Sequence, residues 1–297
     1  MRRHADLALA AAAPAVWGST YLITTEALPE GYPLTAAMLR ALPAGLILLA
    51  LTRHLPRGLW IARVVLLGVL NFALFWWLLF VAAYSLPGGM AATVGAVQPL
   101  IVLGLSSLLL GQPVRRGAVL AGIGGLIGVG LLVLSPAAAT LDPLGLAAAL
   151  GGALSMAAGT VLTRKWQPPV PALTFTAWQL TAGGLLLLPV ALLLEPPLPA
   201  LSAANIAGFA WLTLIGGAVS YLFWFRGIAR LGPNAVAPLG FLSPVTAVLL
   251  GMVVLGQIPG PVQAAGMVLV LLCVWLGGRA NRPVSLPPSA GLPQGAR

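Results

Sequence analysis

The stretch Leu86–Gln112 reads LPGGMAATVGAVQPLIVLGLSSLLLGQ, and 145 positions on, Leu231–Gln257 reads LGPNAVAPLGFLSPVTAVLLGMVVLGQ. Laid over each other without a gap, Leu86 falls on Leu231, Ala92 on Ala237, Gly95 on Gly240 and Pro99 on Pro244. Further along, Leu105, Leu110, Gly111 and Gln112 fall on Leu250, Leu255, Gly256 and Gln257. Apolar composition matches some leucines by chance. It does not also align a mid-segment proline and a terminal Leu-Gly-Gln. The chain reads as two related halves.

Working outward, the 297 residues are 60% hydrophobic and only 7% charged, with a mean hydropathy of +1.02. A soluble domain is roughly a quarter charged, so water is not the main solvent here. Apolar runs of about 20 residues match a hydrocarbon core of about 30 Å at about 1.5 Å per helical residue. Short alternating strands of an outer-membrane barrel are not the pattern. Ten spans emerge, at about 7–28, 33–52, 61–83, 88–110, 116–135, 143–163, 172–194, 204–226, 233–255 and 261–279. Met1-Arg2-Arg3-His4 opens the first, whose apolar run continues to about Leu28. That exceeds a signal-peptide core of about 7–15 residues, so an uncleaved first helix is expected. The Pro-rich end from Arg282 is expected to be a disordered cytoplasmic tail.

The charges test this plan. With the gaps numbered alternately from an inside N-terminus, every Lys and Arg except Arg40 falls inside, from Arg2 and Arg3 through Arg164, Lys165, Arg226 and Arg230 to Arg279, Arg282 and Arg297. Glu26, Glu30, Asp142 and Glu195 fall outside. Basic residues set orientation, so both termini are expected in the cytoplasm. The net charge of +10 is then a matter of topology, and no nucleic-acid partner is expected. Five spans per half is an odd number, so the halves insert in opposite senses. The expected fold is an all-α membrane protein of ten transmembrane helices in two five-helix inverted-topology repeats. In such repeats the substrate site lies near the midplane between halves.

Trp17-Gly18-Ser19 in the first helix, Arg40 in the second, the duplicated unit and the Pro99 and Pro244 segments closed by Leu-Gly-Gln together resemble the EamA-type permeases of the drug/metabolite transporter superfamily. Within it, the run LPGGMAATVGAVQPL at 86–100 is most similar to the blue-pigment-exporter-like members. The resemblance covers about residues 7–279, with EamA repeats expected over 1–138 and 139–281 and the tail over 282–297. It implies a carrier of small metabolites in the cytoplasmic membrane, often working outward. One departure matters: the family usually places Glu where this chain has Gln112 and Gln257, so a role for that carboxylate does not carry over.

Arg40 is the sharpest single residue. It lies about 10 Å below the outer end of its helix, where an arginine costs about 2.5–3.5 kcal/mol on insertion scales if central. Three readings stand: a cavity cation that meets an anionic group of the substrate, a structural pair with Glu26 at similar depth, and snorkelling to the surface. Gln179 occupies the repeat position of Arg40 at an offset of 139. Pro99 and Pro244 near mid-span are expected to kink their helices, either as plain kinks or as a gate, with Gln98 and Ser243 as the polar groups beside them.

Among the aromatics, Trp60 and Trp166 by basic loops read as interfacial anchors. Trp17, Trp76, Trp77, Trp178, Tyr221 and Trp224 lie within spans. Asn71, Trp76 and Trp77 share a repeat position with Gly216, Tyr221 and Leu222. The candidate substrate site is therefore Trp17, Ser19, Thr20, Tyr21, Arg40, Asn71, Trp76, Gln98, Trp178, Gln179, Tyr221 and Ser243. A cavity walled by Trp and Tyr suits flat or amphipathic metabolites, and the family resemblance implies amino-acid-like ones. The glycine runs at Gly122–Gly128 and Gly151-Gly152 read as devices for close helix packing.

The single cysteine and the absence of metal-ligand spacing suggest no cofactor, and an intramembrane enzyme would lack its acid pair. A channel would be expected to show charge rings or a carbonyl filter. With the few acids near the ends and in loops, a facilitative or exchange carrier is favoured over a proton-coupled efflux pump, and Glu26 is the one acid expected to be buried. The expected partners are a small-molecule substrate and the lipid bilayer.

Overall fold

The computed structural model describes residues 2–86, 94–133, 142–256 and 260–280. Gln257, the start of the first proline-bearing stretch and the tail lie outside the described residues. Among those described, every regular element is helical. In chain order they are α1 (Arg3–Ala27), α2 (Pro33–Thr52), α3 (Leu59–Ser85), α4 (Gln98–Leu110), α5 (Arg116–Val133), α6 (Pro143–Lys165), α7 (Ala172–Leu194), α8 (Ala203–Leu231), α9 (Pro233–Leu255) and α10 (Pro261–Ala280). Seven of these are long and apolar enough to cross a membrane; α4, α5 and α10 present shorter apolar helices. Large apolar side chains such as Leu193 and Val253 point outward more than 80% exposed, which suits lipid and not water.

At the centre α2 and α7 cross at backbone contact. A Cβ on Gly45 would lie 2.7 Å from Thr181 Cα, and one on Gly184 would lie 2.6 Å from Leu42 N. Leu42 to Thr181 and Gly45 to Gly184 are both shifts of 139, the shift that takes Arg40 to Gln179. The crossing is thus self-complementary, each glycine opening a place for its counterpart's neighbour. The glycines of α5 serve the same end: Gly124 meets Cys273 of α10, Gly125 meets Phe241 and Gly128 meets Val270.

Local breaks repeat as well. In α3 the residues Val69–Ala73 form a π-helix, and in α8 Leu214–Val219 do the same, starting 145 positions later. The terminal Leu-Gly-Gln has a plain cause at Gly111 (φ 62°) and Gly256 (φ 65°), which end α4 and α9 in the left-handed region. Gly111 N–H donates to Ser107 O at 3.1 Å and Gln112 N–H to Ser106 O at 3.3 Å, satisfying the last carbonyls of α4. The expected kinks at Pro99 and Pro244 fall just before each proline. A turn at Ala96-Val97 precedes Gln98-Pro99, and a 3₁₀ piece, Ala237–Phe241, precedes the α-helical part of α9. Proline lacks an N–H, so it sits without penalty in the first turn of a restarted helix.

Candidate functional site

The breaks before Pro99 and Pro244 border one cavity of about 120 Å³, several times the space that holds a single water. It is not a packing void. α1 contributes Trp17, Thr20 and Tyr21, α2 contributes Arg40, and α3 contributes Phe75, Trp76 and Leu79. α8 adds Tyr221 and Trp224, and α6 adds Met156. The two broken helices supply matched pairs at the 145-residue offset: Gly95 with Gly240, Gln98 with Ser243, and Pro99 with Pro244. Trp76 and Tyr221 share that offset and meet directly, Trp76 Nε1 donating to Tyr221 Oη at 3.2 Å. The cavity therefore lies where equivalent residues of the two halves converge.

Trp17-Gly18-Ser19 now has a physical account. Trp17 packs at a tilt against Tyr221 and Trp224, with ring centroids 4.7 and 5.0 Å away. A side chain at Gly18 would run into the Ser243 carbonyl and the Thr246 Cβ of α9, so glycine lets α1 touch α9 beside the cavity. Ser19 turns away: its Oγ donates to Val16 O and accepts from Trp211 Nε1 at 2.9 Å.

Arg40 is 2% exposed and lines the cavity. Its Nη2 donates to Gly216 O at 3.2 Å and its Cζ lies 4.5 Å from the centre of the Trp76 ring; its buried Nε has no partner among the described residues. Trp17 Nε1 donates to the same carbonyl at 3.1 Å, and Ser220 Oγ donates to Ile215 O at 2.6 Å. The widened π turn leaves these carbonyls open to side-chain donors. The alternative pairing with Glu26 is not formed. Glu26 is exposed, contrary to the expectation that it is buried, and its carboxylate accepts from the Thr25 hydroxyl at 3.4 Å. A cation in a low-dielectric setting is strongly favoured by an opposite charge. Among the described residues, the ion pairs are those of Asp6 with Arg226 at 3.0 Å and Arg230 at 3.2 Å, at the other end of α1.

Four candidates lie away from this cavity. Besides Ser19, Asn71 and Gln179 form a separate buried cluster: Asn71 Nδ2 donates to Gln179 Oε1 at 2.8 Å and to Thr163 Oγ1 at 3.1 Å. Trp178 packs with Phe175 and Leu67, its Nε1 donating to His54 O at 2.5 Å. Their depth was readable, but their side of the helix was not. Trp77 is 39% exposed on the outside of α3. Phe75, Leu79, Met156 and Trp224 were not among the candidates. The offset carried a signal for one pair, since Leu79 and Trp224 are 145 positions apart.

Toward the end bearing Ser85 and Asp142 the cavity continues between Ala82 of α3 and Ala148 and Ala149 of α6. At the opposite end Gly227 of α8 packs against Ala10, where a Cβ would lie 2.7 Å from the Ala10 Cβ, and the Asp6 ion pairs join α1 to α8 beyond it.

A helical membrane protein with a central cavity between corresponding halves is the class this geometry defines. The chain belongs to the EamA-like transporter family, whose sequence profile matches residues 6–134 and 143–277. It is 47% identical over 260 residues to protein PecM of Dickeya dadantii, covering 87% of each chain. It is 27% identical over 281 residues to a probable amino-acid metabolite efflux pump of Salmonella typhimurium, covering 88% of this chain and 90% of that one. A solved crystal structure at 21% identity superposes with a TM-score of 0.76, covering 92% of this chain and 96% of the other, which shows the fold. The protein is a multi-pass membrane transporter.

Proposed function

We propose that the chain is an alternating-access exporter of small amphipathic or aromatic metabolites that carry an anionic group. Its ten helices all cross the membrane as two inverted five-helix repeats, 1–138 and 139–281, with both termini cytoplasmic. The single observation that carries the substrate reading is Arg40: a buried cation on the cavity wall, held by a carbonyl and an indole face, with a free Nε. Trp17, Thr20, Tyr21, Trp76, Gln98, Tyr221 and Ser243 complete the site, and the restarts before Pro99 and Pro244 give it hinges. The relative named as an amino-acid metabolite efflux pump supports outward movement of a metabolite.

Transport is facilitative or by exchange. Each acid among the described residues has a place elsewhere: Asp6 with Arg226 and Arg230, Glu26 and Glu30 exposed, Asp142 and Glu195 at the N-termini of α6 and α2. None lines the cavity. A proton carrier normally needs such a group within the membrane.

Proteoliposomes loaded with unlabelled substrate test both statements. Labelled substrate outside should enter faster against the loaded lumen, and an imposed proton gradient should not drive it uphill. Arg40→Gln should slow a carboxylate substrate about tenfold or more relative to its amide, with Arg40→Lys recovering part, since a point charge does not reproduce the guanidinium fork. Equal loss for both substrates contradicts the anion reading; uphill movement with stoichiometric proton flux contradicts the facilitative one.

A further inference from the structure

The two halves place core groups at equivalent positions and bond them differently. On one side Gln179 of α7 meets Asn71 of α3, and Thr163 of α6 closes the cluster. Shifting Gln179 and Thr163 back by 139 gives Arg40 and Thr24, and shifting Asn71 on by 145 gives Gly216. Arg40 and Gly216 also meet, α2 against the π segment of α8, but through the Gly216 backbone carbonyl, and the buried Thr24 donates its hydroxyl to Thr20 O on its own helix. An amide pair on one side is therefore replaced by an arginine and a glycine on the other.

We infer that Gly216 is a specificity-determining position: by carrying no side chain it leaves the Arg40 guanidinium open to the cavity and makes that wall a seat for the carboxylate of a flat, apolar-bodied substrate. This rests on the reading of the cavity as the substrate site. A Cβ at 216 would lie 3.3 Å from Arg40 Nη2 and 3.8 Å from its Nε, so even the first atom of a side chain would press on the guanidinium by a few tenths of an ångström and cover the Nε side. An asparagine there would also offer its own carbonyl to the arginine, as Asn71 offers its amide to Gln179. With glycine, Arg40 bonds to the backbone carbonyl, stacks on Trp76 and keeps Nε unpaired. A second unpaired buried donor, Trp224 Nε1, belongs to another lining residue. Both groups are donors, and both are satisfied by an acceptor-rich anion. The surrounding faces of Trp17, Trp76 and Tyr221 suit an aromatic body.

The symmetry supplies the test. Arg40→Gln together with Gly216→Asn rebuilds on this side the amide pair found on the other. Purified protein is titrated with indole-3-acetate, indole-3-acetamide, phenylacetate and phenylacetamide, read by thermal shift and by tryptophan quenching. Wild type should prefer each acid over its amide by about tenfold or more, the scale of one charge-assisted bond. Gly216→Asn alone should reduce that preference to within about threefold. The double variant should show no preference for the acid and should melt above Arg40→Gln alone, because the amide introduced at 216 gives the amide introduced at 40 a partner that glycine does not supply. No binding of either acid, or equal binding of acids and amides by wild type, overturns the reading of the cavity itself. A wild-type preference that Gly216→Asn leaves intact overturns the role of Gly216 alone. A double variant no more stable than Arg40→Gln contradicts the equivalence of the two contacts.

Discussion

At the residue scale, a missing side chain does as much in this protein as a present one. Gly45 and Gly184 hold α2 and α7 at backbone contact, and Gly18 does the same for α1 against α9. Because the opposing atoms at Gly45 and Gly184 include backbone, they cannot rotate aside. Gly45→Ala and Gly184→Ala are each expected to destabilise by about 1–3 kcal/mol through overpacking, read as a lowered melting temperature in detergent. Gly104→Ala, which opens on free space, should leave it within a degree or two. That Arg40 faces inward was legible in the sequence, and it is buried; its partner was not. Charge and distance from the helix end place Arg40 and Glu26 at similar levels, but rotation about each helix decides whether they meet, and Glu26 turns outward. The same freedom separates Asn71 and Gln179 from the cavity.

At the element scale, helix positions were largely legible because the length of an apolar run follows the bilayer; seven helices are long and apolar enough to cross, while α4 begins at Gln98 where a start near 88 is expected. The π segments and the restart before each proline were not, since both depend on which carbonyls the neighbouring helices can reach. Capping shows the same reliance on partners far along the chain. The N-terminus of α2 is closed by Glu195 at the end of α7, its Oε1 accepting from Leu34 N–H at 2.6 Å and its Oε2 from Thr35 N–H at 2.7 Å. Nothing in local sequence marks that cap, because Tyr32 stands where a capping side chain would. Glu195→Ala should cost about 1 kcal/mol, the usual worth of a cap, and speed amide exchange at Leu34 and Thr35 selectively. Glu195→Gln should retain part of the protection, since a single amide oxygen replaces two carboxylate oxygens. Unchanged exchange at both amides would contradict the cap.

At the scale of the whole molecule, the two related halves were readable from one aligned proline and one Leu-Gly-Gln, and the shared offsets place equivalent residues around the cavity. What the sequence left hidden is that the two ends are unlike. Ala10 and Ala149 are equivalent under the shift of 139, yet Ala149 lines the cavity while Ala10 is packed under Gly227, beneath the Asp6 ion pairs. In an alternating-access carrier these two positions take turns. The most direct measurement uses single cysteines, Ala10→Cys and Ala149→Cys in a Cys273→Ser background, labelled by a membrane-impermeant maleimide in oriented vesicles. Ala149→Cys should label from the outer face with Ala10→Cys protected, and adding Asp6→Asn should raise labelling at position 10 from the inner face while lowering it at 149. Labelling that rises at both positions together, or at 10 with no loss at 149, would describe a continuous pore and contradict the carrier.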